Sequence, residues 1–290
     1  MKDKKIRVAV VLSGRYEYEE AQERLTAWTV QAARAGAKYI CFPEYYFDRV
    51  REEDESYCRG VRTDGLLVRE LTRLAVSHGI AIVAGVTEKK RSQRFPDLWD
   101  YYNSALFIDR QGLAVVQRKV FLWVDPEWNE DRRRPGNEGG PDYPHPPLVD
   151  ERKRFLPGWS YSTFRFGGLQ RAAGIICADA LMPPAWSHLI PLSPQIVFNL
   201  NSRMNLLEKW GPDLGRISRE YALPIVASNG WAESQAGIFD SDGSCVARLD
   251  GSPGVAVAEV TLAGKQNIPP VVIRHWDGDP LEMLERLDRW

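Results

Sequence analysis

The chain is poor in residues that bind metals or form disulfides, with four histidines and four cysteines in 290 residues. Cys41, Cys58, Cys177 and Cys245 are widely spaced and include no Cys-x-x-Cys pair, which argues against a disulfide framework and a zinc knuckle and fits a reducing compartment. The histidines have no metal-ligand spacing, so no metal is implied. No apolar run is long enough to span a bilayer, and the charged N-terminal residues pass directly into an apolar stretch without a signal-like region. The expected location is cytoplasmic. Surplus charge is also lacking: 38 basic against 39 acidic residues give a formal net charge of -1, which offers no field for nucleic acid or an anionic membrane. There is no G-x-S-x-G elbow, no P-loop and no G-x-G-x-x-G after a strand, so no nucleotide cofactor is implied. No tandem repeat or low-complexity tract is evident.

What is present is a chain with 44% apolar residues, enough for a large core in a single domain over residues 1–290. Alternating valines predict a strand over 6–12, and Ala21, Leu25, Trp28, Ala32 and Ala35 form one stripe of a helix over 18–37. A second amphipathic helix, over 65–79, carries Leu66, Leu67, Leu71, Leu74 and Ala75 and leads into a strand over 80–86. Strands are also predicted over 103–108, 113–118, 172–176, 196–200, 224–228 and 255–260, with a hairpin over 236–249. Helices are predicted over 185–190, 206–222 and 281–287, the second with a kink or late start at Gly211-Pro212. Charged residues 48–55 read as a solvated loop. The alternation of apolar strands with amphipathic helices predicts an α/β protein built as a four-layer α-β-β-α sandwich.

Three of these strands end on complementary groups. Tyr39 to Pro43 delivers Glu44, Ala114 to Arg118 delivers Lys119, and Ala172 to Ile176 delivers Cys177, with Pro183 and Pro184 suited to the start of a helix beyond it. A thiol in that place reads as a packed core residue when taken alone, because free cysteine is among the most buried residue types. The surroundings decide otherwise. Phe42-Pro43-Glu44, Arg118-Lys119 and Gly174-Ile-Ile-Cys177-Ala-Asp179 together resemble the motifs of the nitrilase, or carbon-nitrogen hydrolase, superfamily. Glu151-Arg-Lys-Arg-Phe155-Leu-Pro157-Gly158 resembles the segment that carries this family's second glutamate. Arg219 to Asn229 and Gly237 to Gly243 resemble its closing helix-strand unit and hairpin.

The resemblance implies the nitrilase-like sandwich, a Glu44-Lys119-Cys177 triad supported by Glu151 beside Lys119, no cofactor, and a homodimer or higher homo-oligomer. Read from residue chemistry alone, Glu151 would be a surface ion pair. Amide hydrolysis needs a nucleophile, a base that later serves as an acid, and positive charge at the developing oxyanion. Cys177, Glu44 and Lys119 with the Ala178 N–H cover these roles. A glutamate near pKa about 4.3 is a poor base for a thiol near about 8.5, so burial is expected to raise the first and Lys119 to lower the second.

The substrate side is less determined. Tyr45 and Tyr46 read as core aromatics or as one wall of a pocket, and Trp186 as a further aromatic wall. Asn201 and Ser202 read as substrate hydrogen-bonding groups or as turn residues. The proline- and glycine-rich run over 124–149 reads as a lid, a surface insertion or an oligomer contact. His145 within it is incidental, and His78 near a helix end reads as a capping residue. Three departures from the family pattern make the pocket less polar: Met182-Pro183-Pro184 replaces an aromatic-Pro-acid sequence, Phe121 a common histidine, and Leu181 a common arginine. The leading expectation is a hydrolase of a small linear amide or carbamoyl compound, neutral and partly apolar near the scissile bond, with Arg203 the one residue able to add charge. A nitrilase, an acyltransferase with the same triad and a non-catalytic binding protein are the alternatives.

Overall fold

The computed structural model describes residues 4–14, 16–47, 60–123, 151–202 and 211–264. The expected loops over 48–55 and 124–149, His145, Arg203 and the helix over 281–287 lie outside the described residues. Among the described residues, twelve strands and four α-helices follow in the order β1 (Lys5–Leu12), α1 (Tyr18–Arg34), β2 (Tyr39–Cys41), α2 (Leu66–His78), β3 (Ala81–Arg91), β4 (Trp99–Asp109), β5 (Gly112–Arg118), β6 (Phe164–Phe166), β7 (Leu169–Ile176), α3 (Pro183–Leu189), β8 (Ile196–Asn201), α4 (Gly211–Glu220), β9 (Ile225–Asn229), β10 (Gln235–Phe239), β11 (Cys245–Asp250) and β12 (Gly254–Thr261).

The sheet runs in the order β5-β4-β3-β2-β1-β9-β8-β7-β6, and β10 extends from β9 and pairs with β11. Its two halves meet at one pair, Leu12 with Asn229. β12 lies antiparallel along β1 over eight pairs, from Lys5 with Thr261 to Leu12 with Gly254.

Strand periodicity separates the layers. Val8, Val10 and Leu12 of β1 and Ile196, Phe198 and Leu200 of β8 enter one core between the two sheet halves, centred on Phe107, Phe166 and Phe198. Ala9 and Val11 turn outward onto Leu25 and Trp28 of α1 and Leu67 and Leu71 of α2. Val197 turns outward onto Trp186 and Leu189 of α3 and Leu214 and Ile217 of α4. Three cores thus separate four layers, the α-β-β-α sandwich that the alternation predicts. At about 1.5–3 kcal/mol for each fully buried large apolar side chain, these cores dominate the stability of the fold.

Three differences from the sequence reading have local causes. Helix α1 ends at Arg34, so Ala35 is exposed and outside the stripe, and Leu66 at the first position of α2 is 69% exposed. β3 and β4 continue well beyond the apolar residues, as far as Arg91 paired with Trp99. That extension is held by backbone pairing and by Arg91, whose guanidinium lies 4.1 Å from the Trp99 ring centroid, rather than by an apolar face. β7 starts at Leu169, ahead of the continuous apolar run, because it pairs with β6 in a hairpin turned by Gly167-Gly168.

Candidate active site

Each expected catalytic side chain is placed by a constrained backbone. Beyond β2, Phe42 N–H donates to Val83 O (2.8 Å) and Tyr46 N–H to Gly85 O (3.0 Å), so the turn carrying Glu44 is pinned to β3. A Cβ at position 85 would lie 2.3 Å from Pro43 O and 2.5 Å from Glu44 Cα, so only glycine permits that approach. Lys119, one residue beyond β5, donates its N–H to Asn103 O (2.8 Å) and accepts from Gly158 N–H (2.7 Å). The preceding Arg118 makes a two-pronged pair with the buried Glu88, at 2.8 and 2.6 Å, which fixes the exit of β5. Glu151 opens a 3-10 turn, Glu151–Lys153, and its N–H donates to Trp123 O (2.9 Å).

Cys177 leaves β7 with φ 48° and starts a second 3-10 turn, Cys177–Leu181. A left-handed conformation at a non-glycine residue costs roughly 1–2 kcal/mol and is retained only where the surroundings impose it. Asp179 does so. Its carboxylate accepts from Ile176 N–H (3.1 Å) on the strand side and from Val120 N–H (3.1 Å) and Phe121 N–H (2.8 Å) beyond Lys119. The turn that carries Cys177 and the segment beyond Lys119 are therefore tied by one side chain.

Glu44, Lys119 and Glu151 converge and are almost completely buried, while Cys177 is partly exposed. Lys119 Nζ lies 2.9 Å from Glu44 Oε1 and 3.0 and 2.9 Å from Glu151 Oε1 and Oε2. Trp123 N–H donates to Glu151 Oε2 (2.6 Å) and the Tyr45 hydroxyl to Glu151 Oε1. Asn103 Nδ2 donates to Glu44 Oε1 (2.7 Å), to the Tyr45 oxygen (2.8 Å) and, at 3.2 Å, to Glu151 Oε1. Glu44 Oε2 is buried, and among the described residues nothing donates to it.

The electrostatics follow from burying two carboxylates around one ammonium. Burial works against the charged Lys119, but Glu151 and Glu44 outweigh it and hold the lysine well above its ordinary range. Lys119 pulls the thiol down as expected, but other causes outweigh it. Burial and the Glu44 charge push Cys177 well above the ordinary thiol range, although Lys119 pulls the other way. At neutral pH the group is therefore a thiol and not a thiolate.

Burial also pushes Asp179 up to about 6 from 3.8, against the donated Phe121 N–H and the Lys119 charge. The folded protein binds this proton more tightly than the unfolded chain. Asp179 therefore adds stability below about pH 4 that is lost as the pH rises through 6. Asp179→Asn removes this dependence, so in urea unfolding the stability gap between variant and wild type should move by about 2 kcal/mol in the variant's favour from pH 4 to 7. A constant gap would contradict the assignment.

The expected substrate-binding residues scatter. Tyr45, at φ 53°, joins the polar cluster through its hydroxyl and stacks on Phe155. Tyr46 packs into the outer core against Phe42 and Phe47 and donates to Ala21 O (3.1 Å), away from the cluster. Trp186 is likewise in an outer core, with Nε1 donating to Ala180 O (2.9 Å). Ala178 follows the nucleophile in its 3-10 turn. Asn201 ends β8 with Nδ2 on Ser228 O (2.9 Å), and a Cβ at position 230 would lie 3.3 Å from Ser202 Cα and 3.5 Å from Glu44 O. Ser202 thus borders the Glu44 turn. Asn103 was not singled out by sequence reasoning. Its place on the interior face of β4, in phase with Ala105 and Phe107, is the signal that marks it.

Among the described residues, no group of three or more His, Cys, Asp or Glu side chains is arranged to hold a metal ion, and no helix is long and apolar enough to cross a membrane. A sequence model of the carbon-nitrogen hydrolase family matches residues 7–269. The fold is similar to that of an amidase from Nesterenkonia sp. AN1, in a mutant form with the acetamide moiety of fluoroacetamide added covalently at the active-site cysteine. That match has 16% identity, covers 90% of this chain and 92% of the amidase, and has a TM-score of 0.66. The C. elegans NitFhit protein is similar at 16% identity over 90% of this chain and 62% of its own, with a TM-score of 0.67. A glutamine-dependent NAD+ synthetase from Acinetobacter baumannii matches at 17% identity over 92% of this chain but 49% of its own, with a TM-score of 0.63. No match was found among curated proteins.

Proposed function

This chain belongs to the carbon-nitrogen hydrolase family and is an enzyme of that kind, and from that premise we propose that it cleaves a small linear amide or carbamoyl compound through a thioester on Cys177. The observation that carries the reading is the unequal state of the two Glu44 oxygens: Oε1 is held by Lys119 and Asn103, and Oε2 has no donor among the described residues. A buried acceptor left open beside a thiol is costly unless it takes a proton in the reaction. In this mechanism Glu44 Oε2 takes the Cys177 proton as sulfur attacks the carbonyl carbon. The oxyanion meets the Ala178 N–H and the positive charge of Lys119. Collapse breaks the C–N bond and the amine leaves with the proton from Glu44. Glu44 then deprotonates a water that attacks the thioester, which releases the acid and restores the thiol.

Lys119 Nζ has three hydrogens and three carboxylate oxygens within 3.0 Å, so it acts mainly as a fixed charge that Glu151 holds in place. Phe121, Leu181 and Pro184, which stand where the family more often has a histidine, an arginine and an acid, favour a neutral and partly apolar substrate. The enzyme is proposed as a single-domain cytoplasmic homodimer or larger homo-oligomer, which light scattering tests.

The chemical test is intact-protein mass and ammonia release with propionamide, butyramide and N-carbamoyl amino acids. An acyl adduct on Cys177 with the neutral amides is expected. No adduct and no ammonia with any of them would refute the reading. Strong preference for the N-carbamoyl acids, lost in Arg203→Ala, would refute the neutral-substrate part.

A further inference from the structure

We infer, on the basis of the hydrolase reading above, that Asn103 is the positioning residue that selects which oxygen of Glu44 handles the proton. Lys119 cannot make this choice alone, because an ammonium is a point charge on a flexible stem and donates to either carboxylate oxygen equally. Asn103 is a directional donor on a central strand, 1% exposed. The surroundings settle which end of its amide points into the cluster. Two of its three neighbours are carboxylate oxygens, at 2.7 and 3.2 Å, and the third is the Tyr45 oxygen, whose own proton goes to Glu151. A carbonyl oxygen there would face lone pairs on every side. The two Nδ2 hydrogens therefore serve Glu44 Oε1 and Tyr45, the two nearer acceptors.

The backbone of the same residue completes the device. Asn103 O accepts the Lys119 N–H at 2.8 Å, so one residue fixes both the segment that carries the ammonium and the oxygen that the ammonium neutralises. With Oε1 doubly held, Glu44 cannot rotate to exchange its oxygens, and Oε2 stays the free acceptor. The charged and titratable groups around this pair are Lys119 beyond β5, Glu151 on its 3-10 turn, Tyr45 beside Glu44 and Cys177 at the exit of β7. Asp179 lies behind Cys177 and does not touch Asn103.

The test is the rate of Cys177 alkylation by iodoacetamide between pH 5 and 9, read by peptide mass, in wild type and Asn103→Leu. The measurement needs no substrate. Loss of a donor to the ionised carboxylate should move the acid limb of the profile up by about one pH unit, the scale of one hydrogen bond to a charged group. Any step due to Asp179 is common to both proteins. On an amide that the wild type hydrolyses, kcat should fall about 100-fold with KM within about threefold, as expected for lost orientation rather than lost binding. Should Asn103→Leu not fold, Asn103→Asp keeps the size, places a third carboxyl against Glu44, and should move the limb further the same way. An unmoved acid limb in a folded variant, or a rise in KM that accounts for the whole loss, overturns the inference. If the wild type hydrolyses no amide, the functional reading fails while the alkylation profile still decides the role of Asn103.

Discussion

Cys177→Ala should lose turnover by at least about 10⁴-fold while keeping the fold, because the substitution removes the nucleophile and little packing. The backbone gives this prediction a second arm. Position 177 has φ 48°, where alanine and cysteine carry the same Cβ penalty and glycine carries none. Cys177→Gly should therefore be more stable than Cys177→Ala by about 1 kcal/mol, with both inactive. Turnover by either variant would refute covalent catalysis at this residue. Equal urea midpoints for the two would show that the turn is not strained.

Lys119→Met should be the most damaging single change to both stability and activity. It leaves Glu44 and Glu151 buried on either side of a thioether, and breaking a buried ion pair from one side costs about 3–5 kcal/mol. The sign with pH is fixed by which partner is left. In the wild type, the raised Lys119 contributes stability that is lost only as pH rises through a value above the ordinary lysine range, so it is constant from pH 5 to 8. In the variant, a proton on one carboxyl relieves the repulsion, so the deficit should shrink toward pH 5. Removing Glu151 as well, as Lys119→Met with Glu151→Met, should recover part of the loss. A deficit below about 1 kcal/mol at pH 8 would mean that the pair is far better solvated than its burial indicates.

The parts of this site that the sequence reveals share one property: they sit where a strand stops. An apolar run ending on Glu44, another on Lys119 and a third on Cys177 can be read without coordinates, because strand periodicity and the abrupt change of chemistry lie in adjacent residues. The two sheet halves and their helices follow from the same periodicity. Glu151 is different. Nothing in Glu151-Arg-Lys-Arg says that a 3-10 turn after a proline-rich run will bury its first residue, and only resemblance to a family points there. Spacing places the ammonium near Cys177, where it does pull the thiol down, but does not reveal the burial and the Glu44 charge that outweigh it. Tyr46 and Trp186 were assigned a possible pocket role because aromatic residues beside a nucleophile look alike in sequence, whether they face a cleft or a helix. Asn103 carries no motif and reads only as the first residue of a strand, although its phase with Ala105 and Phe107 places it on the interior face.

The pairing of β12 with β1 bears on how the protein is made. β1 leaves the ribosome some 240 residues before β12, since the eight pairs join residues 5–12 to residues 254–261. β2 pairs with β1 at only three positions and β9 at only one. For most of synthesis one edge of an apolar valine-rich strand is thus without its main partner, the condition under which nascent chains associate with one another. A chain stalled before residue 254 should need a holding chaperone, and refolding of the full chain should be slow, limited by this long-range closure.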